Sequence, residues 1–279
     1  MSRLLEADGM WHRQSASVPR GFWTDVVRAP HRLLLLDYDG TLAHFAENRM
    51  EARPFPGIVP SMTVIARGGR TSLGVVSGRP VRELQNLIRL RDIILVGEHG
   101  WEVLMPGEGL TQHRLPPGVE VALHETARLS MSAPWGGRLE VKRTSLVFHT
   151  RGLREEEAAG LIAQCRSVFE NLGVPAGLRI VDVHDGIELR APYLDKGSAV
   201  RSLLALSPAG TFAVYIGDDH TDDDAFRVVR ERGLGIRVGN DAGPTAAEGR
   251  IDGPESVGAF LDEWTRRVEE PGAVPREGA

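Results

Sequence analysis

Apolar runs of three to five residues alternate along the chain with longer segments of helical period, the pattern of an α/β protein whose parallel strands are buried on both faces. Leu33 to Leu36 runs into Asp37, Leu73 to Val76 into Ser77, Phe212 to Ile216 into Gly217 and Asp218, and Ile236 to Val238 into Gly239. A fifth run, Ile93 to Val96, leads into Gly97-Glu98-His99-Gly100 and is assigned to the same sheet. Each run reads as a strand ending in a polar loop. In an open parallel sheet such loops gather outside the carboxyl ends of the strands, so residues distant in sequence meet there.

Between residues 109 and 190 the pattern changes. Leu139 and Val141 alternate with Glu140 and Lys142, and Leu146 and Phe148 with Val147, His149 and Arg151, as half-exposed antiparallel strands do. Val181 and Val183 share a face with Ile187 and Leu189 if His184-Asp185-Gly186 forms a three-residue turn with Gly186 left-handed. A two-residue turn at Asp185-Gly186 would set Val183 opposite Glu188. Two helices, roughly Val119 to Met131 and Arg154 to Leu172, complete an α+β insert with its own antiparallel sheet. The expected organisation is an N-terminal arm (1–30), a Rossmann-like core built from 31–108 and 191–268, an inserted cap (109–190) and a frayed tail (269–279). Trp11, Phe22 and Trp23 predict that the arm packs on the core.

Composition narrows the class of protein. With 279 residues, 42% hydrophobic and 25% charged, the chain is globular rather than disordered or fibrous. Lys and Arg number 33 against 38 Asp and Glu, and a net charge of −5 offers no broad attraction for nucleic acid or an anionic membrane, so neither partner is expected. No run approaches the ~20 apolar residues of a membrane span, and the first residues lack the apolar stretch of a signal peptide. Cys165 is the only cysteine, which rules out an intrachain disulfide. The expected setting is cytoplasmic.

The placement of acids says more than their number. Asp37 and Asp39, two apart in an extended segment, project together. Gly217-Asp218-Asp219-His220-Thr221-Asp222-Asp223-Asp224 holds five carboxylates between Asp218 and Asp224. Two bare carboxylates about 5 Å apart repel by roughly 3 kcal/mol at an effective dielectric of about 20. Solvent, protonation or a cation must offset that, and short acidic side chains on loops suit a hard ion such as Mg²⁺. An acidic loop can equally be a solvated turn or a helix N-cap. Two further loops offer groups for an anionic ligand. Ser77-Gly78-Arg79 should open a helix, with a hydroxyl and backbone N–H groups where phosphate is favoured. Lys196 opens the helical segment Asp195 to Leu206. A carboxylate pair, a hydroxyl, a lysine and a metal-binding acid on neighbouring strand ends make a phosphoryl-transfer site.

The order Asp-x-Asp-Gly-Thr, Ser-Gly-Arg, Lys-Gly and Gly-Asp-Asp resembles the four motifs of the haloacid-dehalogenase-type phosphatases, from about Arg32 to Phe260. More narrowly, Asp37-Tyr38-Asp39-Gly40-Thr41-Leu42, Val76-Ser77-Gly78-Arg79, Glu98-His99-Gly100, Glu140-x-Lys142 and Gly217-Asp218-Asp219-His220-Thr221-Asp222 resemble the trehalose-6-phosphate phosphatase family. The resemblance implies Asp37 as nucleophile, forming an aspartyl-phosphate, and Asp39 as acid and then base. It implies Mg²⁺ held by Asp37, the backbone carbonyl of Asp39, and Asp218. Ser77, Gly78, Lys196 and Thr41 would bind the phosphate, while Asp219 and Asp222 would orient metal waters and Lys196. In the insert, Glu140, Lys142 and Glu188 would bind the sugar distal to the phosphate, with His149 and Arg151 as weaker candidates. The chain departs from the family at Ala43-His44-Phe45, where a proline-containing stretch is usual, and at Asp223 and Ala225, where glutamate and methionine are.

The implied activity is Mg²⁺-dependent hydrolysis of trehalose 6-phosphate, a step of trehalose biosynthesis, with a small sugar phosphate as partner. A phosphatase for a glucosylglycerate- or sucrose-type phosphate would use the same core, and a phosphomutase would release no net phosphate. A non-catalytic sugar-phosphate sensor is the rival of a different class. The pairing of Asp37 with Asp39 argues against it.

Overall fold

The four leucines of the first apolar run divide between the two faces of one sheet, as a two-residue period requires. Leu34 and Leu36 join one apolar cluster and Leu33 and Leu35 the other. That is why the run shows no polar alternation: helices cover both faces. The computed structural model describes residues 16–46, 48–183, 185–240 and 243–269. Trp11, His184 and the tail beyond Glu269 lie outside the described residues.

The chain opens with β1 (Ala16–Ser17), α1 (Phe22–Arg28), β2 (His31–Leu36), α2 (Ile58–Gly68), β3 (Thr71–Val76), α3 (Val81–Ile88), β4 (Ile94–Gly97), β5 (Glu102–Leu104) and β6 (Leu110–Gln112). Next come α4 (Pro117–Met131), β7 (Leu139–Val141), β8 (Ser145–His149), α5 (Glu155–Leu172), β9 (Arg179–Val183) and β10 (Gly186–Arg190). It closes with α6 (Lys196–Leu206), β11 (Thr211–Gly217), α7 (Asp223–Val229), β12 (Gly233–Val238), β13 (Gly249–Ile251) and α8 (Pro254–Trp264).

Residue contacts divide this chain into two units, Met1–Gln112 with Asp195–Ala279, and His113–Leu194. The first carries a mostly parallel sheet ordered β1-β13-β12-β11-β2-β3-β4-β5-β6. From β2 the chain proceeds to β3 on one side, while β11 returns on the other, so β2 is where the strand order reverses. Asp37 leaves the sheet at that switch point, where ligands of open α/β sheets bind. Helices α1, α2, α3 and α8 bury Val26, Met62, Leu84 and Phe260 on one face, and α6 and α7 bury Val200 and Phe226 on the other. Of the arm, Phe22 and Trp23 are buried with their rings in edge contact at 4.9 Å, and Ala16–Ser17 pair antiparallel with β13.

The second unit has an antiparallel sheet ordered β7-β8-β10-β9. Its bounds begin after residue 112 rather than at 109, because Leu110–Gln112 pairs with β5 and so extends the large sheet. The β9–β10 hairpin corrects the expected turn. Gly186 pairs with Val183, so the connection is the two residues 184 and 185, and Asp185 rather than Gly186 has the left-handed backbone (φ 55°). A Cβ on Gly186 would lie 1.9 Å from the Phe148 carbonyl oxygen, which accounts for the glycine by close packing instead of turn geometry. Val181 therefore stands opposite Glu188, and Asp182, not Val183, opposite Ile187.

Candidate active site

Asp37 follows the last residue of β2, and its amide donates to the Ile216 carbonyl of β11 at 2.8 Å, continuing the parallel ladder by one residue. The ladder thereby fixes the residue that follows four leucines. Asp37 is buried, and so is Lys196, whose Nζ donates to Asp37 Oδ1 and to Asp222 Oδ1, both at 2.7 Å. Lys196 is the first residue of α6, with Asp195 as its N-cap accepting the Ser198 amide at 2.7 Å. Far from being a solvated surface lysine, it is enclosed by carboxylates. Burial disfavours its charge, but Asp222 and Asp37 outweigh burial and hold the ammonium above its ordinary pKa. Burial pushes Asp37 well above the usual carboxylate range, with Lys196 pulling the other way.

Asp222 does several tasks at once. Its Oδ1 also accepts the Tyr215 hydroxyl at 2.6 Å, and its Oδ2 accepts the Asp219 amide at 3.0 Å. Asp219 points its carboxylate at His220 instead, accepting from that backbone amide at 2.5 Å and meeting the ring Nδ1. The expected orientation of Lys196 thus falls to Asp222 rather than Asp219. Tyr215 carries no sequence signal of function, sitting inside an apolar strand. A buried tyrosine nevertheless needs a partner for its hydroxyl, and Asp222 supplies it.

Asp37, Asp218 and Asp222 present carboxylate oxygens within 4.8 Å of one another, a group that can hold a metal ion. Asp222 is already engaged by Lys196, Tyr215 and a backbone amide, and Asp37 by Lys196 through Oδ1. Asp218 Oδ1 is buried with no hydrogen-bond partner, and burial together with the charge of Asp222 pushes this carboxyl up to about 7. When all three acids are ionised, one ammonium leaves a formal excess of two negative charges, which a divalent cation offsets. Gly40 makes room for the arrangement: its φ is 79°, and a Cβ there would fall 1.9 Å from Asp218 Oδ2.

Thr41 is fully buried and its hydroxyl has no hydrogen-bond partner. Ser77 follows β3 directly, buried, with its Oγ accepting the Arg79 amide at 3.2 Å. Gly78 passes beneath the His99 ring, where a Cβ would come within 2.6 Å of Nε2. The expectation that Ser77-Gly78-Arg79 opens a helix is displaced. The helix starts at Val81 behind the N-cap Pro80, and the Val81 amide is taken by Glu102 Oε2 at 2.8 Å. The loop is held instead by Glu98 and His99, two consecutive left-handed residues whose amides donate to the Arg79 and Ser77 carbonyls at 3.0 Å. Asp39 closes onto Arg79 through two 2.6 Å hydrogen bonds.

In the second unit, Glu140 of β7 and Glu188 of β10 both pair with Val147 of β8 and so share one face of the sheet. Glu188 is buried, and Glu140 Oε2 lies 3.0 Å from His149 Nε2. Lys142 lies just past β7, its amide donating to Ser145 at 2.9 Å. Arg151 pairs with Asp185 at 3.2 Å.

Residues 35–252, spanning the strand-end loops that carry Asp37, Ser77 and Asp218 and the start of α6 at Lys196, match the trehalose-phosphatase family. The chain belongs to this family. It is 30% identical over 253 residues to trehalose 6-phosphate phosphatase RA3 of Zea mays, covering 82% of this chain and 68% of the relative. The C-terminal domain of trehalose-6-phosphate phosphatase from C. albicans superposes with a TM-score of 0.78 at 20% identity, covering 88% of this chain and 96% of that one. A trehalose-6-phosphate phosphatase related protein superposes with a TM-score of 0.66 at 26% identity, covering 83% and 96%. As a trehalose-phosphatase family member with the haloacid-dehalogenase-type fold, the chain is a phosphoric monoester hydrolase. Among the described residues no helix is long and apolar enough to cross a membrane.

Proposed function

We propose that this trehalose-phosphatase family member hydrolyses trehalose 6-phosphate to trehalose and phosphate through an aspartyl-phosphate on Asp37. The observation that carries the reading is the buried Asp37 carboxylate held by Lys196 beside the open carboxylate of Asp218. A carboxylate fixed on a rigid strand end, with one oxygen directed by an ammonium, is prepared to attack phosphorus with the other. Lys196 and the hydroxyls of Ser77 and Thr41 supply donors for the phosphoryl oxygens, and the partnerless Thr41 hydroxyl needs an acceptor. Asp39 gives a proton to the departing sugar oxygen and later takes one from the hydrolytic water.

Mg²⁺ is the cofactor in this reading, with Asp37, the Asp39 carbonyl and Asp218 as protein ligands. When bound, it neutralises charge between the nucleophile and an anionic phosphate. The buried, partnerless Asp218 oxygen fits that role. Sugar recognition is assigned to Glu140, Lys142 and Glu188, since two carboxylates on one sheet face make good acceptors for sugar hydroxyls.

Phosphate release from trehalose 6-phosphate, set beside glucosylglycerate- and sucrose-type phosphates with and without Mg²⁺, tests the reading. Trehalose 6-phosphate is expected to give the highest kcat/KM and Asp37→Asn to be inactive. Release from none of these, or near-normal turnover by Asp37→Asn, overturns the proposal.

A further inference from the structure

Arg79 places a buried guanidinium on Asp39 and is itself held on every side. Its Nε and Nη2 each donate to one oxygen of Asp39 at 2.6 Å, and its Nη1 donates to the Arg49 carbonyl at 2.7 Å. Glu83 Oε2 lies 3.6 Å from the same Nη1 and 2.8 Å from Arg49 Nη2. The guanidinium also stands over the Tyr38 ring, 5.2 Å from its centroid, while the Tyr38 hydroxyl anchors that ring to the Ala52 carbonyl at 2.6 Å. Main-chain bonds complete the clamp: the Arg79 amide binds Ser77 Oγ and its carbonyl binds the Glu98 amide.

Such a pair restricts what Asp39 can do. Asp39 lies past the end of β2 in a loop, and its side chain is 24% exposed, against 6% for Arg79. The sheet fixes Asp37 but does not fix Asp39. A planar fork that takes both carboxylate oxygens fixes their plane and direction, which a point charge cannot do. We propose that Arg79 is the positioning residue for Asp39, aiming its carboxylate for the two proton transfers. This rests on the phosphatase reading of Asp37 and Asp39.

In the first step an Asp37 oxygen bonds to phosphorus, the bond from phosphorus to the leaving oxygen breaks, and Asp39 gives that oxygen its proton. In the second, a water oxygen bonds to phosphorus, the Asp37–phosphorus ester bond breaks, and a proton of the water passes to Asp39. The fork on both oxygens is the ionised state of Asp39: the protonated acid keeps one bond to Arg79, the second forms as its proton passes to the leaving oxygen, and that bond opens again when the water's proton arrives.

The test separates the two steps with p-nitrophenyl phosphate, whose leaving group needs no proton. Mg²⁺-loaded wild type and Arg79→Met are mixed rapidly with this ester, and steady-state kcat and KM are measured on trehalose 6-phosphate. Arg79→Met is expected to release close to one equivalent of p-nitrophenolate per chain in a burst and then turn over about 10²-fold slower, with KM within about threefold of wild type. Loss of the burst together with turnover would place Arg79 in the attack on phosphorus or in folding, and overturns the proposal. Turnover within about threefold of wild type also overturns it. Should Arg79→Met fail to fold, Arg79→Lys keeps the charge and loses the fork. A retained burst with turnover at least about tenfold slower supports the proposal, and full activity overturns it. A wild type that releases phosphate from neither compound overturns the phosphatase reading as well, an outcome distinct from any failure confined to the Arg79 variants.

Discussion

Lys196 Nζ lies 2.7 Å from Asp37 Oδ1 across 159 residues of sequence, and the same ammonium bridges to Asp222. Removing it leaves two buried carboxylates without their cation. Lys196→Met is therefore expected to cost about 3–5 kcal/mol of stability, as loss of one partner from a buried ion pair does. Urea denaturation of the metal-free protein measures this, and a loss below about 1 kcal/mol would contradict the enclosed geometry. Phosphate release should fall with it.

Tyr215 offers a smaller perturbation of the same network. Tyr215→Phe deletes the 2.6 Å hydrogen bond to Asp222 while keeping the ring among the apolar residues of α6 and α7. The expected cost is about 1.5–3 kcal/mol, the range for a hydrogen bond to a charged group, read from the same denaturation curves. Its kcat should drop with little change in KM, because Asp222 then holds Lys196 less firmly.

Gly40 tests the proposed metal site without removing any of its carboxylates. Gly40→Ala combines a left-handed backbone with a Cβ aimed at Asp218 Oδ2. Strain of about 1–3 kcal/mol is expected. Displacement of Asp218 should raise the Mg²⁺ concentration for half-maximal activity by about tenfold or more, equivalent to about 1.4 kcal/mol of lost binding. A Mg²⁺ titration of phosphate release checks this, and chelation of the wild type should abolish turnover.

Glu188 tests sugar recognition. Glu188→Ala should lower kcat/KM for trehalose 6-phosphate by about 10–10²-fold, the worth of a charged hydrogen bond to a hydroxyl, and leave p-nitrophenyl phosphate turnover nearly unchanged. Equal losses on both substrates would remove Glu188 from the sugar site.

Cys165 gives the pH dependence. Burial pushes this thiol up to about 12, from an ordinary value near 9. A folded pKa above the unfolded one means that the stabilisation is complete below about pH 9 and is lost as the pH rises toward 12, because the unfolded thiol ionises first. The urea midpoint should decline more steeply above pH 9 for the wild type than for Cys165→Ala. At pH 8 a thiol reagent should label the protein in urea and spare the folded chain.

The strands and their order of loops were legible because strands covered on both faces are unbroken apolar runs, and Asp37, Ser77 and Asp218 end three of them. Lys196 was legible only through its place after the insert, since nothing in one lysine announces that two acids enclose it. Arg79 stood in the Ser-Gly-Arg motif, but its partner depends on how the loop after β3 is folded, which local spacing does not specify. The start of α3 moved because Pro80 fixes an N-cap, and the amide beyond it was taken by Glu102, a residue of β5. At the β9–β10 hairpin, Asp185-Gly186 read as turn chemistry although Gly186 answers to the Phe148 carbonyl across the strand.

The position of β2 between β3 and β11 has a consequence for how the protein is made. A ribosome delivers Asp37 well before one of the two strands that flank it, β11, and the cation that holds it, which emerge only after residue 195. Until then β2 has an unpaired edge and an acid without its ammonium. Pairing across so long a stretch is slow to form, since the chain must lose its freedom before the contacts repay it. The cluster of Asp37, Lys196, Asp218 and Asp222 is thus assembled in the closing events of folding, and a chain cut short before β11 would carry Asp37 without the acids of the loop that follows that strand.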